Sequence, residues 1–180
     1  MKLNTRFQVV ALQTLLVAIL MTVAFPKAGT AASREERLAT QHFFCNTGYT
    51  QDACLKQIAT LKNVVANAPT EALGEWTWVL VRSQDWKPLI KKVGLHQDSP
   101  AFTCLEKRTT FVEEALVAKV SGGRSGELIS RWHMGMTELL NLAVEHEMGH
   151  ALCSTMDEDK ANHVAELLER NRPLSCRARS

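Results

Sequence analysis

His146-Glu147-Met148-Gly149-His150 spells H-E-x-x-H. Two histidines four residues apart lie on one face of an α-helix, one turn from each other. Both imidazoles can then reach one Zn²⁺, and Glu147 between them can act as general base on a water at that ion. The flanking residues favour the helix this geometry needs. Glu138 to Glu145 contains neither Pro nor Gly, and Thr137 stands where a cap is expected. A catalytic zinc ion takes three protein ligands and leaves a fourth position to water. The two histidines therefore need a third donor.

The segment from Asp157 to Leu168 offers several donors. H-E-x-G-H followed by E-x-x-A-N-x-x-A-x-x-L, here Glu158, Ala161, Asn162, Ala165 and Leu168, resembles the gluzincin-type zinc peptidases. The likeness is to the ImmA/IrrE-type and minimal gluzincin families, and it is confined to the C-terminal part of the chain. It implies that Glu158 is the third zinc ligand. It also implies that Asn162, one turn further on, steadies a ligating histidine, and that Ala161 is small because two helices approach there. The implied fold is zincin-like α+β: a small mixed sheet, an H-E-x-x-H helix and a C-terminal glutamate helix. The implied activity is zinc-dependent hydrolysis of peptide bonds in a peptide or protein substrate, with Glu147 as base.

The residues themselves leave alternatives open. Thr155-x-x-Glu158 is also a capping box, which would spend the carboxylate on a backbone N–H. His163 would complete a three-histidine site, and Glu166 follows it. Only seven residues separate His150 from Glu158, fewer than those families have. The chain must therefore turn sharply at Ser154-Thr155-Met156. A closed structural zinc site from His146, His150, Cys153 and Cys176 is a rival, since Cys153 follows His150 by three residues. An inactive binding module on a peptidase fold is another.

A donor for the oxyanion is harder to read. Tyr49, His96, His133 and several arginines are available. Trp76, Trp78, Trp86 and Trp132 read as core and rim packing. Met134, Met136, Met148 and Met156 read as gap fillers near the site. Gly149 is costly inside a helix, which points to close approach of another backbone.

The elements that must position these residues follow from pattern. The chain opens like a secretory signal over residues 1–31. Lys2 and Arg6 precede an apolar stretch from Phe7 to Phe25, and small residues follow at 28–33. Cleavage there leaves residues 32–180 as one domain, exported to the periplasm or the extracellular space, without stable membrane association. An uncleaved anchor is the alternative. Lys2, Arg6 and Lys27 are three of the 21 basic residues, so the remainder is nearly balanced against 19 acidic ones. No basic run or basic–aromatic interleaving points to nucleic acid. Five cysteines in an exported chain favour disulfides, Cys45–Cys54 and Cys153–Cys176, with Cys104 left over. The second would tie the end of the motif helix to the chain beyond the glutamate helix.

Helices are expected over 34–44, from a Thr50 cap to Asn67, from about Asp85 to Gly94, over 128–133, up to Cys153 through the motif, and over 157–170. Strands are expected at 76–81, 101–105 and 109–112, with a loop at 121–126. This pattern is α+β. Related zinc peptidases bind substrate along a sheet edge, and the segment 101–112 is the candidate for it.

Overall fold

In a computed structural model, which describes residues 34–118 and 123–177, the apolar run Trp76–Val81 forms the inner strand β2. It lies between β1 (Gln41–Cys45) and β4 (Thr109–Glu113), parallel to both. Strand β3 (Ala101–Cys104) pairs antiparallel with β4 and forms one edge, giving the order β1-β2-β4-β3. Side chains alternate between faces along each strand. Trp76, Trp78 and Leu80 join the main core with Val112. Val79 and Phe111 turn the other way, with Val81, and pack with Trp86 and Ile90.

The helices cover both faces. Helix α1 is Arg34–Leu38 and α2 is Gln51–Val65, capped by the Thr50 side chain as expected. Helix α3, Ser83–Val93, supplies Trp86 and Ile90 and ends at Gly94 in the left-handed region, where glycine has no Cβ to clash. Two further helices follow β4: α4 (Glu114–Val117) and α5 (Gly123–Trp132). Helix α6 (Met136–Cys153) carries the H-E-x-x-H motif, and α7 (Glu158–Glu169) carries Glu158 and Asn162. Leu139, Leu140, Val144 and Met148 of α6 are buried in the main core. The architecture is α+β with a small mixed sheet, as the pattern implied.

Three expectations are corrected. The helix expected over 34–44 stops at Leu38, and Gln41–Cys45 is a strand. Gln41, Phe43 and Cys45 point inward there, and the strand pairs with Trp76–Leu80. That distant pairing outweighs local helix preference. Gln41 is held further, accepting from Trp78 Nε1 at 3.1 Å and donating to the Gly74 carbonyl at 2.9 Å. Helix α5 begins at Gly123, inside the expected loop. The motif helix starts at Met136 with Gly135 as its cap, so Thr137 lies within the first turn.

Cys45–Cys54 and Cys153–Cys176 are disulfide-bonded and Cys104 is free. The first bond joins the end of β1 to the first turn of α2. These bonds are compatible with an oxidising, exported environment. No helix among the described residues is long and apolar enough to cross a membrane. Residues Ser33–Ser180 form one compact unit. The expected signal segment lies outside the described residues.

Glu113, at the end of β4, is fully buried and takes both oxygens to Arg124 Nε at 3.0 and 3.2 Å. Burial outweighs the guanidinium and pushes its pKa up to about 7. A raised carboxyl favours the folded state below its unfolded pKa, and that contribution is lost as pH rises through the folded value. The thermal midpoint should therefore fall between pH 5 and 8 relative to a Glu113→Gln variant, whose side chain does not titrate. Parallel melting curves for the two proteins would contradict this.

Candidate metal centre

Helix α6 presents His146, Glu147 and His150, and α7 presents Glu158 and Asn162. Each helix end explains how they meet. Ser154 closes α6 in the left-handed region at φ 46°, with its N–H turned back to the Ala151 and His150 carbonyls. Thr155 N–H also returns to the His150 carbonyl at 3.1 Å. This turn fits the short link between the helices. Helix α7 is capped by Asp157, whose side chain accepts from Asp159 and Lys160 N–H. Thr155 Oγ1 accepts from Asp157 N–H instead. The capping-box alternative for Glu158 is thus not realised, and its carboxylate is free to reach α6.

Close contact of the two helices needs Gly149. A Cβ there would stand 2.5 Å from the Ala161 carbonyl oxygen and 2.7 Å from its Cα. Those distances are far inside van der Waals contact. Glycine on one helix and a fully buried alanine on the other let the backbones touch.

The three donor atoms converge. His146 Nε2 lies 3.1 Å from His150 Nε2 and 3.0 Å from Glu158 Oε2. His150 Nε2 lies 3.6 Å from Glu158 Oε1. The far ring nitrogens fix the tautomers. His146 Nδ1 is 2.9 Å from Asn162 Oδ1, and His150 Nδ1 is 2.9 Å from the Thr155 carbonyl. A carbonyl oxygen only accepts, so each Nδ1 carries a hydrogen, and Nε2 is the ring atom left to face a cation. Burial, and then His150, hold His146 below the usual histidine range.

Two imidazole nitrogens and a carboxylate facing one point form a cluster of possible ligand atoms. A cation satisfies such a cluster. Ligands at about 2.0–2.1 Å in tetrahedral array lie ~3.3 Å apart, close to the spacings here. The donor set of two imidazoles and a carboxylate suits zinc and leaves a position open. His163 and Glu166 are not part of the group that can hold a metal. Cys153 and Cys176 are bonded to each other, so their thiolates are not available for a closed structural site.

Glu147 sits beside this group, 5% exposed, with Oε2 unpartnered. Burial pushes its pKa up to about 8. It lines a cleft of about 600 Å³ together with His146, Glu158 and Asn162. Leu139, Leu142 and Ala143 of α6 continue along the cleft, with Trp132, His96, Asp98 and Arg131. Pattern reading did not single out this apolar wall. Its signal was available, because Leu139, Leu142 and Ala143 precede His146 by seven, four and three residues, on one helical face. Of the oxyanion candidates, His96 and Arg131 line the cleft, whereas Tyr49 and His133 do not. Trp76, Trp78, Trp86 and Met148 are buried as expected, but Met156 is exposed.

The cleft is bordered by β3, whose Ala101 also lines it. Bonded and non-bonded pairs alternate in an antiparallel ladder. Glu113 N–H donates to the Pro100 carbonyl at 2.9 Å. By register, Phe102 and Cys104 bond to β4, and Ala101 and Thr103 turn their N–H and C=O groups to the open edge.

No protein-family model, no curated protein and no solved structure matches this chain.

Calorimetric titration of the metal-free protein with zinc should show one site per chain. Asn162→Ala should weaken it about 10- to 100-fold, the usual cost of removing a partner that orients a ligating histidine. Glu158→Ala should weaken it more. Equal affinity in all three proteins would contradict the assignment. Gly149→Ala should push α7 off α6 and destabilise the fold by about 1–3 kcal/mol, with a parallel loss of zinc affinity. Denaturant titration checks the first effect, and an unchanged midpoint would sink it.

Proposed function

We propose that this protein is an exported zinc metallopeptidase of the gluzincin type, with His146, His150 and Glu158 as ligands and Glu147 as general base. The observation that carries this reading is the cluster of acceptor atoms beside a buried, unpartnered glutamate in an open cleft. The α+β fold, with a small mixed sheet beside the two helices, supports it. A site with a structural role alone has no use for a carboxylate at that position.

When bound, zinc would supply a Lewis acid that polarises the scissile carbonyl and makes a water nucleophilic near neutral pH. The remaining steps belong to the chain. Glu147 Oε2 takes a proton from the attacking water and returns it to the departing amine. Asn162 and the Thr155 carbonyl keep both imidazoles in the tautomer that presents Nε2. The backbone groups of Ala101 and Thr103 offer a ladder for an extended peptide, which β3 would take as an added strand. Leu139, Leu142, Ala143 and Trp132 favour an apolar side chain near the scissile bond. His96 and Arg131 bring hydrogen-bond donors to the same cleft.

The test is hydrolysis of a peptide library by the zinc-loaded protein, with Glu147→Gln as control. Cleavage should fall by about 10²–10⁴-fold in the variant while zinc affinity stays unchanged. Zinc bound without any cleavage by the unaltered protein would favour a binding module over an enzyme.

A further inference from the structure

Polar side chains cross the otherwise apolar interface between the sheet and α6. Trp76 Nε1–H donates to Thr110 Oγ1 at 3.0 Å, and the Oγ1 atoms of Thr110 and Thr103 lie 2.8 Å apart. Thr103 Oγ1 is 3.5 Å from the backbone carbonyl oxygen of Glu147. Trp76, Thr103, Thr110 and Glu147 are all buried. Valine at positions 103 and 110 would suit a strand equally well and would avoid burying two hydroxyls. The hydroxyls therefore need a reason beyond packing.

The order of donors gives one. An indole N–H only donates, so Thr110 accepts from Trp76. Each hydroxyl has a single hydrogen. With Thr110 donating to Thr103, the Thr103 hydrogen is left for the backbone carbonyl of Glu147. The reverse order strands the Thr110 hydrogen in the core and leaves Glu147 nothing. The Glu147 Oε2 atom is itself buried without a hydrogen-bond partner.

We propose, on the reading of the site as a peptidase, that Thr103 is a positioning residue for Glu147, its hydroxyl aimed by Thr110 and Trp76. It holds the middle of α6 against β3 and so sets where the Glu147 side chain leaves the helix. It is not among the ligands, and it acts through Glu147. The placement has a second consequence. The backbone of Thr103 faces the open edge of β3, so the residue that would align an extended substrate also aligns the base. One strand then sets the distance between scissile bond and carboxylate, and a misplacement of about 1 Å there can cost 10²-fold in rate.

The test compares the unaltered protein with Thr103→Val, which removes the hydroxyl at nearly constant shape, and Thr103→Ser, which restores it. Three measurements are made on each folded protein: zinc affinity by calorimetry, the Glu147 Cδ resonance by ¹³C NMR without metal, and peptide hydrolysis with zinc. In Thr103→Val the Cδ resonance should move and kcat should fall about 10- to 100-fold, with KM and zinc affinity unchanged. Thr103→Ser should return both towards the original values. Thr110→Val, which leaves Thr103 unaimed, should give a smaller change of the same kind, and serves if Thr103→Val does not fold. An unmoved Cδ resonance with unchanged kcat overturns the proposal. So does a joint loss of kcat and zinc affinity, which marks a merely structural residue. If no peptide is cleaved by any of the proteins but the resonance responds to Thr103→Val, the positioning stands and the peptidase reading falls.

Discussion

Two imidazole nitrogens 3.1 Å apart, with a carboxylate oxygen 3.0 Å from one of them, face a single point that one cation could share. Much of the C-terminal half of the chain is arranged to keep them there. Asn162 and the Thr155 carbonyl each accept from the opposite ring nitrogen and so leave Nε2 turned to the cluster. Asp157 takes over the cap of α7, which leaves Glu158 for the cluster. These are small local choices, but each removes an alternative use of a ligand atom.

The larger constraint is the approach of α6 and α7. It is set by absence of bulk at Gly149 and Ala161, and by the left-handed turn at Ser154. The Cys153–Cys176 bond then joins the end of α6 to the chain beyond α7. A cross-link of this span limits the unfolded chain and is worth roughly 3 kcal/mol in the entropic picture. It also restrains two helices whose relative motion would separate His150 from Glu158. On the other side, α6 is fixed by its apolar face in the core and by Thr103 on the edge strand. The site therefore stands between a rigid sheet and a stapled helix pair. That arrangement suits a centre whose donors must hold their geometry.

What the sequence revealed follows the range of the interactions involved. His146, Glu147 and His150 share one helical turn, and Glu158 and Asn162 share another, so their faces follow from spacing alone. The close contact at Gly149 was legible because glycine inside a helix needs a reason. The pairing of Cys45 with Cys54 was readable from their proximity in the chain. Strand β1 was not legible, because Gln41–Cys45 becomes a strand only through its register with Trp76–Leu80. The start of α5 was hidden by a run of glycine and serine that reads as loop. The link from Trp76 through Thr110 and Thr103 to Glu147 joins three strands and a helix, and no local pattern announces it. The cleft wall lay between these cases: its leucines are on the motif helix, but the space beside them is made by residues from α5 and the α3–β3 connection.

The central claim is that two imidazoles and one carboxylate bind a single divalent ion that no sulfur touches. X-ray absorption at the zinc edge, on protein loaded with one equivalent, tests it most directly. Imidazole scattering from two histidines is expected, with an oxygen–nitrogen shell at ~2.0–2.2 Å. A sulfur shell near 2.3 Å, or a spectrum without imidazole scattering, would contradict it.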